Sequence, residues 1–490
     1  MSKQLLYLLL IVSFATACRS KKEEDPLLKT LTHDQAIRDI DLFEHILEEA
    51  HPSLYLYTSE KKFNKLLLDT RASVTGDITL KDLYNKLSLL VNEIGCSHTD
   101  VDLPDHVYDS LYKRKYFFPY PVAWIENKLV VNATDLRLPA GTEIRYINGE
   151  PVQRILRAIS VYNPVEGWHR GTQQQLATER FAMEYYFKYG RQEKFELDIT
   201  DTSGVQKKIA TEPVSFETWQ NRFYNYRYYY DRTDADYDFY FLPKYHCAYL
   251  RISTFTFDAS QKQDAFENFC SNSFELLSHK QKEATSLIID LRENMGGRLY
   301  DAFLLYSYLA NKPFKEYENV LSRTDHVPYK EYINRDAEDN QDSIDGMLSR
   351  KFTVHDKNDL YYLPDSMIDN WDPDRYHYNG KVFIITNSKV MSAASYFATL
   401  VKNSGRGKII GDGTTGGSSS SNGYQTLEYI LPFSGIKLSF PYAHLIYTYR
   451  DQKNTGMGLK PDYLVPDTYQ SFKNNSDRQY SYVVDSLILN

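Results

Sequence analysis

The sequence predicts an α/β core preceded by a helical cap and a β-rich segment. From about Tyr226 onward, apolar strand-like runs alternate with helical stretches, the pattern of a largely parallel and buried sheet. Between Asp34 and Gly95 the apolar residues instead recur at three-to-four spacing, which is helical. Between about Tyr116 and Glu212 they fall in short runs separated by turn signals, which is strand-like.

A chain of 490 residues exceeds one comfortable core, so two or three domains are expected. With 42% hydrophobic and 25% charged residues the composition is globular. The 65 acidic residues against 57 basic ones, without a long Lys/Arg block, lack the positive footprint of a nucleic-acid binder. The 42 Tyr and 25 Phe suit packing and identify no ligand. At the N-terminus, Lys3 precedes the apolar run Leu5 to Phe14, and Ala15-Thr16-Ala17 puts small residues directly before Cys18. That run is too short to span a bilayer permanently. The layout resembles a bacterial lipoprotein signal peptide over residues 1–17. This implies cleavage before Cys18, lipidation of its thiol, a solvated tether over 18–33, and anchoring in the cell envelope at the outer membrane, on its periplasmic or surface face. The other reading is an ordinary secretory signal, and both imply export. Cys96, Cys247 and Cys270 then remain, an odd number without C-x-x-C spacing, so neither a disulfide framework nor a zinc knuckle is indicated.

In chain order, Ile37, Ile40, Phe43, Ile46, Leu47 and Ala50 share one helical face, and His51-Pro52 ends that helix. Leu83, Leu87, Leu90, Val91 and Ile94 form a second amphipathic stretch that runs into Gly95, a helix stop. Residues 34–110 are thus expected to be the helical cap. Over 111–215, Tyr120 to Ile125 and Lys128 to Asn132 read as strands, and Gly141 to Val152 couples a strand to an Asn148-Gly149 turn. That string resembles a PDZ domain, which implies capture of polypeptide ends at a sheet edge. Residues 225–475 are expected to be the α/β core. Ala248 to Phe257, Ser286 to Leu291 and Val382 to Thr386 read as its strands, with helices at Ala265 to His279, Leu299 to Leu309 and Ala393 to Val401. A polar segment at about 311–380 reads as an insertion.

Three distant segments carry chemistry: Gly95 to Val101, with a histidine in a loop; Ile288 to Gly297, a buried strand ending in Asn294 and paired glycines; and Asn387 to Ala398, a strand exit entering a helix. A serine in the first turn of a helix sits beside unpaired backbone N–H groups at the positive end of the helix dipole. Glycines after a strand permit close backbone approach, so the amides of Gly297 or Gly296 together with Ala393 suit an oxyanion hole. A free hydroxyl is a poor nucleophile, so Ser392 needs a base, and His98 is the candidate.

The strings SHTDV (from Ser97), IIDLRENMGG (from Ile288), SAASYFATLV (from Ser392), IIGDGTTGG (from Ile409) and GLKPD (from Gly458) follow one another over roughly residues 95–462. In that order they resemble the C-terminal processing (tail-specific) and tricorn-core serine peptidases. The resemblance implies a crotonase-like α/β spiral core with a helical cap and a PDZ-like domain, hydrolysis of peptide bonds without a cofactor, and a peptide or protein substrate. Members of the family that use a Ser-Lys dyad carry a lysine after the second glycine-rich loop, and Gly411 to Ser418 contains none. Ser97-His98 matches the tricorn-type pair instead, which implies His98 as base, Ser97 as its hydrogen-bond partner and Ser392 as nucleophile. For the supporting acid, either Asp451 serves, displaced by four residues from Thr455 at the family position, or His98 relies on Ser97 alone. Asp290 and Arg292 are read as a structural brace.

Gly411 to Gly416 is a literal G-x-G-x-x-G, but a strand follows it and no helix, so dinucleotide binding fails its context. His98, Asp100, Asp102, Asp105 and His106 lie close in sequence without metal-ligand spacing, and no metal is expected. The alternative to a peptidase is a catalytically silent surface lipoprotein that binds peptide or glycan in the same cleft. A third reading, metal-dependent hydrolysis, would be inhibited by chelators.

Overall fold

The computed structural model describes residues 24–134, 136–228, 235–256, 260–337, 341–449, 456 and 458–489. Cys18 and Asp451 lie outside them. No helix among the described residues is long and apolar enough to cross a membrane.

The cap contains three main helices, His33–Ala50, Glu60–Ala72 and Leu80–Ile94. The first is started by a capping box, in which Thr32 Oγ1 accepts from Gln35 N and Gln35 Oε1 accepts from Thr32 N. On its apolar face Ile40, Phe43, Ile46, Leu47 and Ala50 are fully buried and Ile37 partly so, and Asp39 on that face accepts the Phe433 and Ser434 amides at 3.2 and 2.8 Å, which docks the cap onto the core. The Leu80–Ile94 helix stops at Gly95, whose φ of +70° places it in the left-handed region. Directly after it come Cys96, Ser97 and His98, and then the short strand Asp100–Asp102 pairs antiparallel with Lys437–Tyr447 of the core. The histidine loop is therefore fixed at both ends.

The β-rich segment forms an antiparallel sheet in the order Val122–Ile125, Lys128–Val131, Glu143–Ile147, Phe195–Thr200, Gln206–Thr211. Asn148 and Gly149 take φ of +50° and +80° and turn the chain so that Ile147 faces Glu150. The Arg170–Glu179 helix packs along the edge strand Val122–Ile125.

The core sheet runs Tyr237–Leu242, Cys247–Ile252, Ser286–Asp290, Lys381–Thr386, Lys408–Gly411, Tyr463–Leu464. Only its first pair is antiparallel. Every residue of Ser286–Asp290 is buried, as a strand covered on both faces requires. The helices Leu299–Ser307 and Ser392–Asn403 pack together beside this sheet. A second, antiparallel sheet sets Tyr317–Ser322 against Lys437–Tyr447, which pairs in turn with Ser420–Ile430. The polar stretch at about 311–380 is thus not wholly an insertion, because Tyr317–Ser322 is an internal strand of that sheet. Its partner lies more than a hundred residues downstream, so no local pattern announces the pairing.

Arg292, 1% exposed, braces the end of the Ser286–Asp290 strand. It donates to Asp290 at 2.6 and 2.9 Å, to Asp477 at 2.5 and 2.8 Å and to Gln479 at 2.9 Å. Tyr249 Oη donates to Asp290 at 2.7 Å. Removing one partner of such a group strands a buried charge. Arg292→Met should cost about 3–5 kcal/mol of stability, measurable by urea unfolding; a change too small to resolve would contradict the brace.

Candidate active site

The Lys381–Thr386 strand leaves the sheet through the turn 387–391, and Ser392 opens the following helix. Ser392 is half-buried and adopts φ of +49°, a strained value for a side-chain-bearing residue, of the kind found where surrounding contacts over-determine the backbone. Those contacts are present. Met391 N donates to Asn294 O at 3.2 Å and Thr415 N to Val390 O at 2.9 Å, so both glycine-rich loops grip the turn. No side chain caps the helix, which leaves its first N–H groups without an intrahelical acceptor.

Asn294, fully buried, shapes the first glycine loop. Its Nδ2 donates to Ile252 O at 3.2 Å, and its Oδ1 accepts the Gly296 amide at 2.9 Å. Phe255 N donates to Gly296 O and Arg298 N to Phe255 O, both at 2.9 Å. The Gly296 amide is therefore committed, and of the two glycines it is Gly297 whose N–H has no acceptor among the described residues. A methyl group on Gly296 would stand 2.7 Å from Ser392 Cβ and 3.0 Å from Ala393 N, which shows how closely this loop meets the start of the helix.

On the other side, Ser97 Oγ lies 3.1 Å from His98 Nδ1. Ser97 also donates twice to Glu166 Oε2, from Oγ at 3.1 Å and from its amide at 3.3 Å. With its hydroxyl proton directed to the carboxylate, Ser97 Oγ accepts Nδ1–H from the ring, and the network assigns the free lone pair to Nε2. His98 is half-buried by exposure yet densely surrounded, and this desolvation lowers its pKa to about 4. Glu166 is 1% exposed, and burial raises its carboxyl to about 7 against the opposing pull of the Ser97 bonds.

The two halves meet at Gly416-Gly417. A Cβ on Gly416 would lie 3.1 Å from Ser392 N, and one on Gly417 would lie 3.2 Å from Glu166 Cγ. One glycine dipeptide thus separates the serine backbone from the acid of the histidine relay. The β-rich edge and the core enclose a cavity of about 850 Å³, lined among others by Trp124, Gln175, Glu179, Lys389 and Asp412 but by none of Ser392, His98 and Glu166. Lys389, three residues before Ser392, pairs with Glu179 at 2.7 Å and with Glu293, and Arg227 pairs with Glu179 at 3.3 Å. These ion pairs join the Arg170–Glu179 helix to the turn that carries the serine.

Residues 246–465 match peptidase family S41. The chain carries a serine-type peptidase domain of this family. The match includes Gly296, Gly297, Ser392 and Ala393 and excludes Ser97, His98 and Glu166. Over nearly its whole length the chain has the fold of solved mature CPAF. In the structure of mature CPAF complexed with lactacystin, identity is 15%, coverage is 93% of this chain and 97% of that one, and the TM-score is 0.66. For mature CPAF alone the values are 14%, 93%, 96% and 0.63. A putative peptidase from Parabacteroides merdae aligns at 12% identity over 94% and 98% of the two chains, with a TM-score of 0.47. No curated protein matches the sequence.

The carboxylate that reaches Ser97 is Glu166, a residue outside the sequence-derived site. Glu166 belongs to the loop Asn163-Pro164-Val165-Glu166-Gly167, whose only sequence signal is a Pro and a Gly flanking an acid. That loop is wedged among other backbones: Glu166 N donates to Thr415 O at 3.4 Å, Gly167 N to Gly95 O at 2.8 Å, and Trp168 N to Gly456 O at 2.9 Å. A Cβ on Gly167, at φ of +74°, would fall 1.9 Å from Gly456 O. Gly167→Ala should therefore displace Glu166 and lower kcat/KM about 10²-fold, the cost of a misplacement of roughly 1 Å. Wild-type turnover in this variant would contradict the positioning role of the loop.

Proposed function

We propose that the chain is an exported endopeptidase in which Ser392 is the nucleophile, His98 the general base and Glu166, acting through Ser97, the group that stabilises the imidazolium. The observation that carries this reading is the convergence of the His98–Ser97–Glu166 relay and the positive-φ Ser392 on the two faces of Gly416-Gly417. Ser392 Oγ attacks the scissile carbonyl as His98 Nε2 takes its proton. The N–H groups of Gly297 and Ala393 receive the oxyanion, His98 then protonates the leaving amine, and water hydrolyses the acyl-enzyme by the reverse proton route. No cofactor enters these steps.

The cavity between the PDZ-like edge and the core suits an extended chain and reaches Lys389, three residues before Ser392, which favours unfolded or tail-exposed polypeptides. The proposed lipid anchor at Cys18 puts the enzyme in the cell envelope. The alternative of a silent binding module draws on one observation: among the described residues, Ser392 Oγ makes no hydrogen bond to the imidazole. Catalytic hydrogen bonds are often long before substrate binds. A fluorophosphonate probe separates the two readings. It should label the wild type and leave Ser392→Ala and His98→Ala unlabelled, with Ser392→Ala also inactive on an unstructured peptide; labelling that survives in Ser392→Ala would remove the assignment.

The pH dependence tests the acid. His98 stays neutral down to about 4, so its ionisation cannot set a limb in the neutral range. The Glu166 carboxyl ionises at about 7, and its anion is the form that stabilises an imidazolium. Accordingly kcat/KM should rise with pH through about 7 in the wild type. Glu166→Gln should lose that rise and fall about 10²-fold or more in the alkaline range; an unchanged limb would assign it to another group.

A further inference from the structure

We propose that Cys96, His98 and Glu166 form a binding site for a zinc-class divalent cation, and that its occupation switches the peptidase off by withdrawing His98 and Glu166 from the relay. The switch rests on the relay reading given above, whereas the binding site does not.

Among the described residues, these three form the one group able to offer metal ligands together, with one donor atom from each lying within 4.8 Å of the others. Around tetrahedral zinc, with bonds of about 2.0–2.3 Å, donors stand roughly 3.3–3.8 Å apart. A contraction of about 1 Å, within reach of side-chain rotation, therefore closes the site.

The Glu166 carboxylate points to a ligand independently of that proximity. Its Oε2 takes both bonds from Ser97, while Oε1 is buried and, among the described residues, makes no well-aligned hydrogen bond, the Tyr57 hydroxyl being the one donor that interacts with this carboxyl besides Ser97. A buried acceptor left in this state costs free energy, and a cation would relieve it.

Cys96 supplies the soft ligand. It is 2% exposed and the proposed hydrolysis makes no use of it. Burial and the nearby Glu166 push its thiol up to about 12, and Asn422 Nδ2, which donates to Sγ at 3.0 Å, works against that, so the cation itself has to draw off the thiol proton. Asn422 is itself held, because its Oδ1 accepts from Ser53 Oγ and lies against His444 Nδ1, both at 2.8 Å. Outer partners of this kind orient first ligands and raise affinity.

The charges also balance. One thiolate and one carboxylate neutralise a divalent ion and the imidazole adds none, so no net charge is buried. A single sulfur, nitrogen and oxygen donor set favours zinc over magnesium or calcium, which require mainly oxygen ligands. Binding displaces the thiol proton, and the carboxyl proton wherever Glu166 is protonated, to solvent and forms no covalent bond within the protein.

The test uses the full chain stripped with a chelator and then titrated with zinc(II) or cobalt(II) alone. Cobalt should produce a thiolate-to-metal charge-transfer absorption that zinc abolishes. Zinc should inhibit peptide cleavage, a chelator should restore it, and Cys96→Ser should keep its cleavage while losing zinc sensitivity by at least about tenfold. Cys96→Ala serves the same comparison if circular dichroism finds the serine variant unfolded. Absence of the thiolate band in the wild type overturns the site, whatever the activity. A band accompanied by undiminished cleavage keeps the site and overturns the switch. A chain without any cleavage fails the peptidase reading, and the cobalt spectrum alone then decides the site.

Discussion

The contact on which the site depends is the pair of hydrogen bonds from Ser97 to one oxygen of Glu166. The donor belongs to the loop leaving the cap and the acceptor to the loop leaving the β-rich segment, and both lie against the glycine loop of the core. Three regions with separate local patterns are thereby fixed relative to one another at a single carboxylate. Packing enforces the arrangement through backbone at Gly167 and Gly417, where a Cβ would fall 1.9 Å from Gly456 O and from Ser420 O. This explains why glycine clusters at the junction, since a methyl group there would push the acid away from the histidine loop.

Electrostatics act in the same direction. Burial favours the neutral forms of both His98 and Glu166, so the resting relay holds little separated charge. Transfer of a proton to the imidazole reverses this preference, because the cation then has a carboxylate one hydroxyl away. The ion pairs of Lys389 differ in kind. They are partly exposed, contribute modestly to stability, and hold the turn before Ser392 against the Arg170–Glu179 helix. Arg292 differs again, as a fully buried brace between the strand ahead of the glycine loop and the C-terminal segment.

The legible parts of the fold were those with a strong local period. The helix expected over Ala393 to Val401 is Ser392–Asn403, the buried strand expected over Ser286 to Leu291 is Ser286–Asp290, and Gly95 ends the helix it was expected to end. Local signals cannot report pairings between distant segments. Tyr317–Ser322 looked like part of an insertion because its polar, Asp-rich neighbours hide a strand whose partner is residues 437–447. Glu166 was invisible for the same reason, since an acid between a Pro and a Gly carries no periodicity and gains meaning only when Ser97, sixty-nine positions earlier, is brought against it. The acid that the sequence offers near Gly456 is Asp451, which lies outside the described residues. Gly456 itself proves to be the backbone that receives Trp168 and crowds Gly167.

On the proposed mechanism the acid comes from the β-rich segment, which has a mechanical consequence. If the core supplied both nucleophile and acid, the β-rich segment could move without disturbing the chemistry. Here the loop that carries Glu166 leads within two residues into the Arg170–Glu179 helix, which lines the cavity and reaches Lys389 through Glu179. A polypeptide filling that cavity presses on an element continuous with the acid at one end and ion-paired to the serine turn at the other. On the proposed mechanism, occupancy of the cavity and alignment of the relay therefore share one rigid element, and differential contact with it is the physical route by which binding can favour the reactive geometry.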